Sequence, residues 1–206
     1  MKSGASALIL GIVKNGYWWQ VDLSKVNQQR PVVNGIHSLE EKNWTDIEIA
    51  RLVASGAVEI VGFGVQKPAA LKIISKIRLA PKKGPKKYRL VINMRPLNAA
   101  CRIRSCKYEG LSTALKMLQP GWWMMSLDLK EGYFHVGVHP DCQAYMGFFW
   151  RNKWYRYKVI PFGFSHSPWV FTKVIRHMIK RWRKMGLFTL AYLDDFILMA
   201  PTKEDA

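Results

Sequence analysis

The sequence predicts an α+β fold built on a mainly antiparallel sheet, and three stretches carry that expectation. "AYMGFFW" and "KWYRYKVI" flank Arg151–Asn152, and the halves of "LFTLAYLDDFILMAP" flank Asp194–Asp195. Each is a pair of short apolar runs joined by polar residues, the pattern of a β-hairpin. Between them, "SHSPWVFTKVIRHMIKRWRKMG" (165–186) repeats apolar residues at helical spacing. Hairpins and helices mixed in this order argue for helices packed on antiparallel strands.

Taken in order, residues 1–43 carry the weakest pattern. There "YWWQVDL" (17–23) reads as strand-like and "NQQRPVVNG" (27–35) as loop. "NWTDIEIARLVASGAVEIV" (43–61) predicts a helix capped by Thr45, with Ile49, Leu52 and Val53 on one face and Gly56 as its stop, then a strand "AVEIV". "VGFGV" (61–65) lacks the third glycine and following helix of a phosphate loop and reads as a turn. Residues 77–98 read as strand, basic turn and strand, broken by Pro81, Gly84 and Pro85. The turn carries Lys82, Lys83, Lys86 and Lys87, with Arg89 just inside the second strand. "WWMMSLDL" (122–129) is an apolar strand ending in an acid. In the long helix Ser167 is the expected cap, Pro168 lies in the first turn and Gly186 follows the end. Its expected buried stripe is Phe171, Val174, Ile175, Met178 and Trp182, with Lys173, Arg176, Lys180, Arg181 and Lys184 around it.

Composition narrows the class of partner. The 206 residues hold 32 Lys and Arg against 14 Asp and Glu, a formal charge of +18 that favours a polyanion, nucleic acid first. A hydrophobic fraction of 49% excludes general disorder. "SALILGIV" (6–13) is too short to span a bilayer and lacks the flanks of a signal peptide, so no membrane role is expected. The three cysteines, Cys101, Cys106 and Cys142, give an odd count without a disulfide framework. A reducing, intracellular setting, cytoplasm or nucleus, is therefore expected.

The chemistry gathers on acids. Asp194 and Asp195 lie between apolar runs, where an unpaired carboxylate costs several kcal/mol. On a flat strand neighbours point to opposite faces, but a tight turn lets both reach one point. Hard divalent cations take a few carboxylates plus substrate phosphates, and Asp128 at another strand's end would complete such a site. An ordinary polar turn is the bland alternative for the pair taken alone.

The pair does not stand alone. "YRLVINMRPLN" (88–98), "SLDLKEGYFHVGVHP" (126–140), "VIPFGFSHSPWVFT" (159–172) and "YLDD" (192–195) together resemble the reverse transcriptases of retroelements. In flavour they are most similar to the tyrosine-recombinase (DIRS-type) retrotransposons. The resemblance covers about residues 44 to 206 and implies a right-hand polymerase. Residues 44–126 would be fingers-like and 127–206 palm-like, with 1–43 an N-terminal extension and the thumb absent. It implies an RNA-directed and DNA-directed DNA polymerase that adds deoxynucleotides to a primer 3′-hydroxyl. Asp128, Asp194 and Asp195 would be the catalytic, metal-binding triad, holding two Mg²⁺ ions or Mn²⁺ in their place. Tyr133 matches a steric gate against the ribose 2′-hydroxyl, and Phe162 and Gly163 match the loop beneath the nucleotide. Arg89 and Lys82 match residues that clasp its triphosphate. The implied partners are an RNA or DNA template with primer, deoxynucleoside triphosphates, and the rest of a polyprotein with thumb and RNase H. Asn93, Glu131–Gly132 and Phe164 depart from the commoner Asp, Asp–Ala and Leu. A non-catalytic nucleic-acid-binding remnant is the rival expectation.

Overall fold

The computed structural model describes residues 6–26, 34–82 and 88–205. The chain opens with helix α1 (Ala7–Asn15), whose first turn is closed by the Ser6 hydroxyl accepting from the Ile9 N–H at 3.4 Å. Sequence reading gave this stretch no helix. The residues read as strand-like after it make only one bridge, Tyr17 to Val138. Trp19 donates its backbone N–H to Cys142 Sγ instead of to a strand. The alternation is real, since Tyr17 and Trp19 are buried, but it serves a segment laid along the core.

Helix α2 (Leu39–Ala54) begins earlier than Thr45. Ser38 and Glu41 form a reciprocal capping box, which satisfies two of the free N–H groups at the helix start. Thr45 is therefore an interior residue, fully buried, and its hydroxyl donates to the Glu41 carbonyl at 2.7 Å. Ile49 and Leu52 are buried as expected and Val53 is half-buried.

Three strands follow: β1 (Val58–Phe63), β2 (Ile77–Pro81) and β3 (Tyr88–Ile92). Val61 to Phe63 of the glycine-containing stretch belong to β1, and the turn starts at Gly64 with φ 84. Lys82 follows β2, while Lys83, Lys86 and Lys87 of the basic turn lie outside the described residues. The short helices α3 (Arg95–Ala99) and α4 (Leu111–Met117) lead to β4 (Trp123–Asp128). A 3-10 turn at Gly132–His135 and helix α5 (Pro140–Gln143) precede β5 (Gly147–Trp150) and β6 (Lys153–Tyr157). Arg151 and Asn152 both take positive φ, 47 and 62, as a two-residue hairpin matching strand twist requires.

Helix α6 (Ser167–Lys184) starts one residue before its expected first turn. Ser167 is not the cap: its hydroxyl donates to the Pro161 carbonyl at 2.8 Å, and His166 occupies the cap position. The buried line is Val170, Phe171, Ile175 and Ile179, with Val174, Met178 and Trp182 only partly covered. The expected stripe was thus centred too far round the helix. The final hairpin is β7 (Phe188–Tyr192) and β8 (Asp195–Ala200), ended by Pro201 as expected.

All strand pairs within the sheets are antiparallel, but they form three small sheets instead of one. The orders are β1–β6–β5, β2–β3 and β4–β8–β7. One cluster joins them, and residues before the 43/44 boundary take part: Ile9, Ile12, Tyr17, Trp19 and Ile36 sit in the same core as Phe148, Phe164 and Phe171. Among the described residues no helix is long and apolar enough to cross a membrane.

Candidate active site

The β4–β8–β7 sheet brings the acids together. Asp128 ends β4 and is the direct cross-strand partner of Asp195, which in turn pairs with Tyr192 across the hairpin. Directly opposed residues share a face with Cβ atoms about 5 Å apart, and like charges there repel. The connecting turn is Leu193–Asp194, with Leu193 at φ 56, and the Leu129 N–H donates to the Asp194 carbonyl at 2.9 Å. That bond ties the hairpin tip to the end of β4. Gly132 makes the fit possible, because a Cβ there would lie 3.2 Å from Asp194 Cβ and 3.0 Å from Phe171 Cζ.

Asp128 and Asp194 line a cleft of about 410 Å³ together with Lys82, Arg89 and Phe162. Cations from the β2–β3 side thus face carboxylates from the β4–β8–β7 side. Trp44, Glu48, Arg51, Lys130 and Glu131 add further charged and aromatic groups to the wall. Asp195 is exposed beside the cleft. Tyr133 lies behind it: the ring is buried against Phe162 at 4.8 Å and Phe171 at 5.4 Å between centroids. Burial first, then the neighbouring Tyr108 and Asp194, pushes its phenol up to about 12. Gly163, at φ 89, faces a separate cavity of about 480 Å³ with Lys76, Arg78, Arg95 and Asn98. Asn98 holds that loop, donating to the Gly163 carbonyl and accepting from the Ser165 N–H, both at 2.8 Å.

Among the described residues no hydrogen bond or ion pair engages the carboxylates of Asp128, Asp194 or Asp195. Most other acids of this cationic chain are engaged: Asp46 with Arg151, Glu59 with Arg156, Glu109 with Arg183, and Glu48 and Glu131 with Arg51. No group of three carboxylate, imidazole or thiol side chains among the described residues stands close enough to hold a metal by itself. Sequence reading missed Arg51 and its two acids. The Glu48–Arg51 spacing of one helical turn was visible, but nothing local points to Glu131, 80 residues on.

Residues 80–206 match the family model described as "Reverse transcriptase (RNA-dependent DNA polymerase)". The chain belongs to that family. It is 33% identical over 119 residues to the genome polyprotein of Petunia vein clearing virus (isolate Shepherd), covering 58% of this chain and 5% of that protein. To the enzymatic polyprotein of Cestrum yellow leaf curling virus it is 28% identical over 198 residues, 94% of this chain and 29% of that one. The chain thus spans less than a third of the length of either relative. Its fold resembles the native prototype foamy virus protease–reverse transcriptase, with a TM-score of 0.65 at 19% identity, covering 94% of this chain and 23% of that one. The foamy viral protein in complex with double-stranded DNA gives 0.66 at 18%, covering 93% and 32%. The expected α+β, fingers-and-palm class of fold therefore holds. These two relatives are viral polyproteins, and neither speaks for the tyrosine-recombinase subtype.

Proposed function

We propose that this reverse-transcriptase chain adds deoxynucleotides to a primer 3′-hydroxyl, directed by an RNA or DNA template. One observation carries the reading. Three carboxylates without hydrogen-bond or ion-pair partners among the described residues sit at one end of a sheet, and two of them, Asp128 and Asp194, face Lys82 and Arg89 across a cleft. Asp128, Asp194 and Asp195 offer hard oxygen donors, which fit Mg²⁺ or Mn²⁺, and their mutual repulsion is what a cation would relieve. They do not close a cage alone, and Mg²⁺ sites of this kind are usually finished by substrate phosphates. When bound, two such ions would activate the attacking hydroxyl and steady the departing pyrophosphate.

The protein's own residues do the rest. Arg89 and Lys82 neutralise the triphosphate, the arginine as a fork and the lysine as a point charge. Phe162 forms the apolar wall on which the nucleotide rests, with Tyr133 behind it as gate against a 2′-hydroxyl. Gly163 and its cationic cavity would then serve the paired strand more than the triphosphate. Supporting partners are primer–template and deoxynucleotides, within a longer polyprotein such as its relatives. The three cysteines, Cys101, Cys106 and Cys142, are all free, which fits a reducing, intracellular setting. The tyrosine-recombinase subtype rests on the "LDLK", "PFG", "FT" and "YLDD" strings alone.

A second reading, nucleic-acid binding without catalysis, draws on the +18 charge and the open triad. One assay separates the two. Single-nucleotide extension of a primer on RNA and on DNA templates should require divalent metal and stop on chelation. Binding without extension, at any metal concentration, supports the second reading and refutes the first.

A further inference from the structure

We infer that Arg51 is a positioning residue that clamps the loop between Asp128 and Tyr133, and through it sets sugar selectivity at the cleft. The selectivity part rests on the polymerase reading above. Arg51 Nε and Nη2 donate to the two carboxylate oxygens of Glu48 at 2.9 and 2.8 Å. Its Nη1 and Nη2 donate to those of Glu131 at 3.0 and 2.5 Å. Four of the five guanidinium N–H groups are thus spent on two carboxylates, which only a planar fork can do. Glu48 lies one turn away on α2, so that half of the clamp is local and pre-set. Glu131 belongs to the loop after β4, and Arg51 is its only charged partner among the described residues.

Glu131 needs such a hold. Its φ of 56 lies in the left-handed region, which a residue bearing a side chain seldom adopts. The next residue, Gly132, fits against Asp194 Cβ, and the one after it is Tyr133, whose ring packs tilted against Phe162. Freeing Glu131 lets its backbone relax to negative φ, and that rotation is passed directly to the glycine contact and the tyrosine ring. Arg51 also keeps two cleft carboxylates occupied, so that they neither repel an incoming triphosphate nor compete for a cation meant for Asp128 and Asp194. The clamp joins a helix of the first half of the chain to a loop of the second, across the cleft wall.

The test has two arms. In the first, backbone hydrogen exchange is measured on the 206-residue chain for wild type, Arg51→Met and Arg51→Lys. Both variants should speed exchange in residues 129–136 roughly tenfold, because lysine keeps the charge but cannot bracket two carboxylates, while residues 147–157 stay unchanged. In the second arm, nucleotide incorporation is measured with the full-length product of the reading frame. Both variants should lose roughly fivefold in deoxy-over-ribo preference, with KM for deoxynucleotide rising more than kcat falls. Unchanged exchange at 129–136 overturns the clamp. Faster exchange with unaltered selectivity overturns its role in positioning and leaves Arg51 a structural residue. If Arg51→Met does not fold, Arg51→Lys decides both arms. A wild type that incorporates nothing fails the polymerase reading, while the exchange arm still decides the clamp.

Discussion

Gly132→Ala puts the closeness of Asp194 to the 3-10 turn to a quantitative test. The added methyl would sit 3.0 and 3.4 Å from the Phe171 ring and 3.2 Å from Asp194 Cβ. Phe171 is 1% exposed and locked in the core, so the Asp194 turn has to give by a few tenths of an ångström. Gly132 has no positive φ to lose, so alanine gains about 0.4–1 kcal/mol from a less flexible unfolded chain. Overpacking a well-filled contact costs about 1–3 kcal/mol. The net expectation is a loss of about 1 kcal/mol, or about 2–4 °C in Tm for a chain of this size. A displacement of 1 Å at a reacting group costs about a hundredfold in rate, so a few tenths should cost roughly tenfold or less. Thermal unfolding and single-turnover extension measure the two effects. An unchanged or higher Tm with full rate would refute the idea that this contact positions the acid.

Tyr133→Ala should ease ribonucleotide entry more than it harms deoxynucleotide use, at a cost in Tm from the emptied space beside Phe162 and Phe171; an unchanged ribo/deoxy ratio means another residue is the gate. Primer–template affinity should fall steeply with salt, since Lys and Arg contacts to phosphate release counterions, and indifference to salt would contradict the electrostatic account. His166, which contacts the Tyr17 hydroxyl at 3.0 Å and the Arg102 carbonyl at 2.6 Å, is held below its ordinary value by burial. The unfolded chain therefore binds its proton more readily, and stability should decline as pH falls below about 6.5. His166→Gln should flatten that slope in urea unfolding followed from pH 8 to pH 5.

Local chemistry was legible where two or three neighbouring residues decide the outcome. Arg151–Asn152 is the two-residue turn expected, and the apolar runs beside it had nowhere to go but into paired strands. The last hairpin forms as expected but turns at Leu193–Asp194, one residue early, so Asp195 is the first residue of β8 and not part of the turn. The basic hairpin of β2 and β3 was equally plain from Pro81 and the alternation after Tyr88. Helix starts were misread because competing caps were close at hand. Ser38 with Glu41 outbids Thr45, and Ser167 spends its hydroxyl on the Pro161 carbonyl. The division into three sheets depends on long-range pairing that periodicity does not encode. At the site, Asp128, Asp194, Arg89, Lys82 and Phe162 could be named in advance and do line one cleft. Tyr133 behind Phe162, Gly163 on its own cavity and the Arg51–Glu131 clamp were not readable, because each depends on how separate elements approach in space.

The central claim is that Asp194 serves metal-dependent chemistry and not the turn it sits in. Asp194→Asn keeps the shape and removes the charge; an amide is a poorer ligand for a hard cation. In the full-length product, single-turnover extension should drop roughly a thousandfold or more, equivalent to about 4 kcal/mol of lost transition-state stabilisation. Primer–template affinity without nucleotide should change little. Tm without metal should hold or rise, since one of the acids crowded beside Asp128 is neutralised. Near-normal extension by Asp194→Asn, or a collapse in stability with the chemistry intact, would contradict the account.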